Sequence, residues 1–462
     1  MCGISISGGR DRTHLISHRG TEHKTIMVDH IRLSHHRLPI QTVDNDKWAM
    51  PYEYAPDLYL LFNGEIFNYD TDLYDSDTEY LVNFFKNIGS IDLDKIRDYE
   101  KAIAQWDGFW SIVLYDARTK MITAMNDPLG KKQLYVNTHG EVCSEIEPLI
   151  LPYDTIDDSY IGAIHKFGYN HDNRTPWNGI KRLDPKYWYN YRFGQPRAMR
   201  ISENSTLGLP PGNTNLSPVD PNRIKEILIE SVKRRLLSKN YPISVLLSGG
   251  LDSAIITSIL QDLNADVTYY TISNGEDEYV SLCEDYWGIK VERLTYDVAD
   301  DSKLTEIYCK WNETPIDLGS VIPQYHLFEA VAKTGHRIVI SGDGADELFG
   351  GYRRIDEYDS QGSDIFDELT YYHLPRLDRM SMAHTIELRT PFLGHDVVRF
   401  ARSLDLKDRT HKSILKEAFK DDIPKEILDR TKAPLKNPSI KKDQMQYRKK
   451  VLDLFVDYHT EK

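Results

Sequence analysis

The chain has 462 residues, 40% of them hydrophobic and 28% charged, with a formal net charge of −14. At roughly 100–200 residues per domain, this length implies about two or three units with cores of their own and excludes bulk disorder. The acidic balance excludes unspecific binding to nucleic acid or an anionic membrane, because both reward basic surfaces, but it leaves room for a local phosphate site.

The chain opens Met1-Cys2-Gly3-Ile4. Loss of Met1 would leave a thiol and a free α-amino group on one residue, and that amine can take the thiol proton. A thiol beside a base or a positive charge also ionises more readily. The alternative is a chance cysteine at an unstructured start. The other cysteines are Cys143, Cys283 and Cys309, and no two stand as Cys-x-x-Cys. This argues against zinc ribbons and thioredoxin-type redox and fits a reducing cytosol. No basic-then-apolar leader opens the chain, and no uncharged apolar run is long enough for a bilayer. A soluble cytoplasmic protein is expected.

The first part reads as β-rich with short helices. Leu58 to Phe62 is an apolar strand that stops at Asn63-Gly64, a turn signal. A helix is expected over Asp77–Lys86, with Tyr80, Leu81, Phe84 and Phe85 on one side. Trp110 to Tyr115, Lys120 to Ala124 and Gln133 to Val136 are further strands around the turn Asp127-Pro128-Leu129-Gly130. From about Arg197 to Asn222 apolar periodicity fades and turn formers such as Pro210-Pro211-Gly212 gather. The expected organisation is a first domain over 2–196, a linker over 197–221 and a second domain over 222–462.

The second part begins with helical spacing at Ile224, Ile227, Leu228, Val232 and Leu236. Ile243 to Leu247 suits a strand buried on both faces, and a helix follows over Ala254–Leu263. Val267 to Ile272, Val291 to Tyr296 and Arg337 to Ile340 are further strands. Alternating strands and helices imply a parallel α/β sheet. From about Asp367 onward the pattern is mainly helical.

The most specific signal is Ser248-Gly249-Gly250-Leu251-Asp252-Ser253, between a buried strand and an amphipathic helix. Glycines let backbone approach a ligand, and a helix start offers N–H groups to an anion. Ser248 and Ser253 add hydroxyls, and Asp252 can hold magnesium against phosphates. The bland alternative is an ordinary strand-to-helix turn. The run is neither a Walker loop nor a dinucleotide fingerprint. A second loop, Ser341-Gly342-Asp343-Gly344-Ala345-Asp346-Glu347, follows the fourth strand. If the first and fourth strands are neighbours, both loops face one ligand. The alternative for this acidic run is a solvated turn or a calcium site.

These residues resemble a known family. Ser-Gly-Gly-Leu-Asp-Ser is similar to the pyrophosphate loop of ATP-pyrophosphatase domains. With Met-Cys-Gly-Ile it resembles the glutamine-dependent asparagine synthetases, class II amidotransferases joined to a synthetase domain. The resemblance covers nearly the whole chain in order: Leu33 to Ile40, Phe62 to Asn68, Ser76 to Glu79, Asp127 to Gly130, Ser144 to Ile146, Asp378 to His384, Glu387 to Arg389 and Pro391 to Leu393. It implies an αββα N-terminal-nucleophile sandwich followed by a parallel-sheet α/β fold of the ATP-pyrophosphatase, adenine nucleotide alpha hydrolase-like type.

The implied roles are as follows. Cys2 attacks the glutamine amide carbon, and Asn63 and Gly64 form an oxyanion hole. Arg37 grips the α-carboxylate with its planar fork, flanked by Leu38 and Ile40, while Glu65 and Asp77 fix the head group. Taken singly, Arg37 could be a surface ion pair, Asp77 a helix cap and Asn63-Gly64 a hairpin turn. In the second domain Leu246, Ser248, Gly249, Gly250, Ser253, Ile272, Ser341 and Gly342 line ATP. Asp252 and Asp346 handle magnesium and pyrophosphate, and Lys432 neutralises phosphate charge, its alternative being an exposed basic tail. Asp343 stands where glutamate is common and is the expected base for ammonia attack. The resemblance implies glutamine, aspartate and ATP as substrates, asparagine, glutamate, AMP and pyrophosphate as products, and allows a homodimer. It also implies a sheltered passage for ammonia, lined by apolar and backbone groups.

The chain departs from the family at Thr21-Glu22, where Pro-Asp is usual, at Asn126, commonly Arg, and at Gly394, usually Asp. Three other readings stay open: a related ligase amidating a different carboxylate, an amidotransferase feeding a sugar phosphate, and a non-catalytic binding protein on the same fold.

Overall fold

Residues 2–41, 46–89, 99–203, 220–273, 277–296, 301–316, 319–351, 368–430 and 444–460 are described by the structure, a computed structural model. The first part contains two six-stranded antiparallel sheets. The strands are β1 (Cys2–Ser7), β2 (Glu22–Val28), β3 (Ile31–Arg37), β4 (Tyr52–Ala55), β5 (Leu58–Ile66), β6 (Gly108–Asp116), β7 (Met121–Asn126), β8 (Tyr135–Asn137), β9 (Val142–Cys143), β10 (Ile180–Arg182), β11 (Tyr187–Arg192) and β12 (Gln195–Glu203). One sheet runs β10-β8-β9-β1-β3-β2 and the other β12-β11-β7-β6-β5-β4.

Strand alternation explains the layers. Ile4, Ile6, Ile31 and Leu33 of the first sheet meet Leu61, Val113, Tyr115, Ile122 and Ala124 of the second. The opposite faces of β5 and β6 send Leu60, Phe62, Trp110, Ile112 and Leu114 outward, where the helix Asp77–Ile88 covers them with Leu81, Val82 and Phe85. Burial on both faces is why these strands read as unbroken apolar runs. The outer face of the first sheet is closed by short 3-10 turns, Thr13–Arg19 and Glu147–Leu149, through Ile16 and Leu149. The order of layers is therefore αββα, with a thin fourth layer.

The expected turn at Asn63-Gly64 is not a turn. β5 passes straight through it to Ile66, pairing Asn63 with Ser111 and Gly64 with Trp110. Glycine is required there because φ is +145° and a Cβ would stand 2.0 Å from the Phe109 carbonyl oxygen. This is a close backbone approach inside a strand. Nor is Asp77 the helix cap: the Ser76 hydroxyl accepts from the Glu79 N–H at 3.2 Å. β12 occupies the opening of the stretch expected as a linker; residues 204–219 lie outside the described residues, and the next helix begins at Pro221.

The second part holds one parallel sheet of β13 (Ile243–Leu246), β14 (Val267–Ile272), β15 (Val291–Leu294), β16 (Ile338–Ile340) and β17 (Glu387–Arg389), in the order β15-β14-β13-β16-β17. β13 is central and pairs with both β14 and β16. The expected neighbours are adjacent, and strand order reverses between them. The helix Leu251–Asp262 starts inside the Gly-Gly loop, three residues before the expected Ala254, and buries Ile255, Ile256, Ile259 and Leu260 against the sheet. Each such side chain is worth about 1.5–3 kcal/mol of burial. β17 lies in a region expected to be mainly helical. Its flanking charges, Glu387 and Arg389, hide it in the sequence; in the fold they are both buried and pair with each other at 2.7 Å. No helix among the described residues is long and apolar enough to cross a membrane.

Candidate functional site

Cys2 begins β1 opposite Arg37 of β3, at the end of an inner strand of the first sheet. Its backbone nitrogen donates to Asn63 Oδ1 at 2.9 Å. That bond orients the Asn63 amide and leaves Asn63 Nδ2 buried with no hydrogen-bond partner. A buried donor without a partner costs about 1–3 kcal/mol, so such a group in a fold calls for an explanation. Beside Cys2, the donor is placed to receive an oxyanion.

Burial pushes the Cys2 thiol up, but His35 beside it, the amino terminus and a Leu38 backbone hydrogen bond together bring the thiol down to about 6. His35 Nε2 lies 2.8 Å from the Phe62 carbonyl oxygen. A carbonyl only accepts, so Nε2 carries a proton, while the His35 side chain also hydrogen-bonds the Cys2 thiol. By contrast, burial pushes the Cys143 and Cys283 thiols up to about 12. None of the four cysteines is in a disulfide. Of Cys2, Cys143 and Cys283, Cys2 is the one poised as a thiolate near neutral pH.

Glu65 and Asp77 are buried near one another. Burial and the nearby Asp77 and Glu387 push the Glu65 carboxyl well above the usual range. Burial raises Asp77 to about 7, against hydrogen bonds from the Ile66 and Thr78 N–H groups that favour its charged form. Neither makes an ion pair among the described residues. Gln41, hydrogen-bonded by the Tyr69 hydroxyl at 2.6 Å, donates to Glu65 at 2.5 Å. Two buried acids with raised values are a place for a cation. Arg37, at the rim, is held by Glu22 at 3.2 Å. Leu38 and Ile40 are buried and pack into the large core of the second part.

The two glycine-containing loops leave the carboxyl ends of β13 and β16 and touch. A Cβ on Gly342 would stand 2.8 Å from Asp252 Cβ, so glycine permits the approach. Ser248, Gly250 and Asp252 face the junction. The Ser253 hydroxyl is used within its own loop, donating to the Gly250 carbonyl at 3.0 Å and accepting from the Ser248 N–H at 3.2 Å. Leu246 and Ile272 stand at the carboxyl ends of neighbouring strands β13 and β14. Ser341 donates to Asp343 Oδ2 at 2.7 Å, and Arg376 lies 3.8 Å from Asp343 Oδ1. Lys432 lies outside the described residues.

Two cations at this junction were not legible in the sequence. Lys412 Nζ lies 2.6 Å from Asp252 and 2.5 Å from Asp346. Arg430 donates to the Gly249 carbonyl at 2.6 Å while its guanidinium stacks over the Tyr279 ring at 4.0 Å. Lys412 lies 160 residues from Asp252 and Arg430 181 residues from Gly249, in no local pattern.

A buried polar seam joins the two regions. Arg19 donates to the Cys2 carbonyl at 3.0 Å, to Glu145 at 2.8 Å and to Asp378 at 2.9 Å. Lys132 reaches Asp378 at 2.5 Å, and Arg379 reaches Glu313 at 2.6 Å. Arg235 holds Asp107 at 2.9 Å and keeps its carboxyl far below the usual range despite burial. Phe67, Phe109 and Met382 make a small apolar knot in the same seam.

The first 200 residues match the family described as glutamine amidotransferase domain. Residues 223–370 and 360–462 match the family described as asparagine synthase. Among curated proteins, the chain is 27% identical to asparagine synthetase [glutamine-hydrolyzing] of Rattus norvegicus, over 88% of this chain and 76% of that protein. It is 25% identical to asparagine synthetase B [glutamine-hydrolyzing] of Escherichia coli (strain K12), over 91% of this chain and 77% of that one. A probable asparagine synthetase [glutamine-hydrolyzing] of Schizosaccharomyces pombe is 26% identical over 84% of this chain and 72% of its own length. A solved structure titled NMN synthetase from Francisella tularensis shares 18% identity over 53% of this chain and 94% of that one, with a TM-score of 0.27, too low for any argument. With matches spanning both halves, the chain belongs to the asparagine synthase family and carries a glutamine amidotransferase domain ahead of its synthase domain.

Proposed function

We propose that this protein makes asparagine from aspartate, with ATP as the activating substrate and the glutamine amide as the nitrogen source. The observation that carries the first half is the Asn63 Nδ2 donor, buried and unpartnered beside a cysteine whose thiol is held near 6. Once Met1 is removed, the Cys2 nitrogen is an amine that can take the thiol proton; with Met1 attached it is an amide and cannot. Sulfur adds to the glutamine amide carbon, and the oxyanion is received by Asn63 Nδ2 and the Gly64 N–H. Ammonia leaves, and water then cleaves the γ-glutamyl thioester to glutamate. Arg37 takes the α-carboxylate, exchanging Glu22 for the substrate, while Leu38 and Ile40 form the wall behind it. The α-ammonium meets Glu65 and Asp77.

In the second half, the aspartate β-carboxylate attacks the α-phosphorus of ATP, giving β-aspartyl-AMP and pyrophosphate. Ammonia then displaces AMP, because a bare carboxylate lacks a leaving group. Ser248, Gly249, Gly250, Ser253, Ser341 and Gly342 form the phosphate cradle at the reversal of strand order, and Leu246 and Ile272 flank the base. Asp252 and Asp346 are hard oxygen donors at this cradle and suit a magnesium ion, which would supply charge neutralisation to the phosphates. Lys432 adds a positive charge to the same phosphates, and Asp343 receives the proton from ammonia. The units are 2–196 and 222–462, joined by 197–221. Ammonia crosses the seam beside Phe67, Phe109 and Met382, where apolar walls keep it neutral. Glutamine, aspartate and ATP are the partners of this cytoplasmic ligase.

Pyrophosphate release, measured across a panel of carboxylic acids with glutamine and ATP present, tests the reading. Release that depends on aspartate supports it. Release with another acid alone makes the protein a related ligase for that acid, and no release with any acid rejects the synthetase half.

A further inference from the structure

The acids at the junction of the two loops already hold a cation of the protein's own. Lys412 Nζ stands 2.6 and 2.7 Å from the two Asp252 oxygens and 2.5 Å from Asp346 Oδ1, and Lys412 is only 7% exposed. The backbone is bent to put it there. His411 and Lys412 both have φ of 56°, two successive residues with Cβ atoms in the left-handed region. Such conformations persist only where the surroundings impose them, and they gather at functional positions. Here the His411 N–H donates to the Gly350 carbonyl at 2.9 Å, fixing the bend. Gly351 clears the space: a Cβ there would come 1.9 Å from Asp346 Oδ1 and 2.5 Å from Lys412 Cε.

An ammonium so placed pairs with both carboxylates without a metal, hydrogen-bonding the Asp252 oxygens and lying against Asp346 as an ion pair. A bare divalent ion would have to expel it and leave a buried lysine with no counter-charge, which is costly. A polyphosphate changes this balance, because it offers the lysine a new anion while the carboxylates turn to the metal. We propose that Lys412 is a resident counter-cation that keeps the Asp252–Asp346 pair closed to free divalent ions, so that metal enters with the polyphosphate and not before it. This rests on the reading of Asp252 and Asp346 as the metal carboxylates.

The test uses the full chain and Mn²⁺ as probe, with free Mn²⁺ followed by electron paramagnetic resonance. Wild-type protein should bind Mn²⁺ weakly alone and tightly once ATP is added. Lys412→Met should bind Mn²⁺ without ATP about tenfold more tightly than wild type or better, since the acids have lost their partner. Lys412→Arg, which keeps the charge, should behave as wild type. Adding Asp346→Asn to Lys412→Met should remove the gain, placing the ion on the pair. Lys412→Gln, which keeps a polar tip without charge, serves if the methionine variant fails to fold, and the same gain is expected. Unchanged ATP-free affinity in the folded neutral variants overturns the proposal, as does wild-type affinity that is equal with and without ATP. Absence of Mn²⁺ binding in every variant even with ATP overturns the metal reading beneath it.

Discussion

Glu65 and Asp77 at the end of β5 in the second sheet, and Asp252 and Asp346 beyond the carboxyl ends of β13 and β16 in the third, are both acid pairs at least partly withdrawn from water, yet the fold treats them differently. The first pair has no ion-pair partner among the described residues, and its members are held toward the protonated form. The second pair carries Lys412. A proton is a placeholder that pH can remove, whereas a buried lysine is one that only a competing charge displaces. A site for the ammonium of an amino acid can use the first device, because its ligand brings one positive charge of its own. A site for a metal–polyphosphate gains from excluding stray divalent ions, which is the role proposed for the second device. Asp107, between the two regions, is a third case, since its partner Arg235 is permanent.

The sharpest break in this comparison is at the permanent pair. Arg235→Ala removes the nearer of the two arginines that hold Asp107, leaving Arg234 at 3.5 Å and the His395 N–H at 3.0 Å, and should cost up to about 3–5 kcal/mol of stability by denaturant unfolding. A loss under about 1 kcal/mol would mean that water reaches Asp107 and that the seam is loose. At the first site, Asn63→Ala should lower kcat for glutamine hydrolysis by about 10²–10³ while leaving ammonia-driven turnover intact. An unchanged rate would remove Asn63 from the oxyanion hole.

A smaller effect separates the two acid pairs by pH. Asp77 lies near 7 in the empty site, well above its ordinary 3.8. An ammonium pairs with the carboxylate, so KM for glutamine should rise as pH falls below about 7, by at most about tenfold per pH unit. Asp77→Asn should weaken binding and flatten that dependence. The sign for stability is opposite. Between pH of about 4 and about 7 the empty native state holds a proton that the unfolded chain has lost. Wild type should therefore lose stability relative to Asp77→Asn as pH rises through this window, by up to about 1.4 kcal/mol per pH unit. Thermal melts of both proteins across that range read the difference.

The buried strands were legible because burial on both faces writes itself as an apolar run. β14 matches its expected range, and β13 and β16 differ by only a residue. Asn63-Gly64 was misleading because the same dipeptide serves a tight turn and a crowded strand, and only the neighbouring Phe109 backbone tells them apart. β17 was hidden by Glu387 and Arg389, whose burial depends on each other and on the Arg235 and Leu237 carbonyls. Nucleophile and phosphate-loop residues stood out as contiguous motifs. Lys412, Arg430, His35 and Arg19 did not, since each acts on a partner far along the chain or across a sheet, where no spacing rule reaches.

The central claim is that one chain holds two separable chemistries joined by a seam. Cys2→Ala tests it most directly, with pyrophosphate release followed in the presence of aspartate and ATP. With glutamine as nitrogen source, the account predicts no glutamine-stimulated turnover. With ammonium chloride in its place, it predicts turnover near that of the wild type. A folded Cys2→Ala protein that has lost the ammonia-driven reaction as well, or that still uses glutamine, would contradict it.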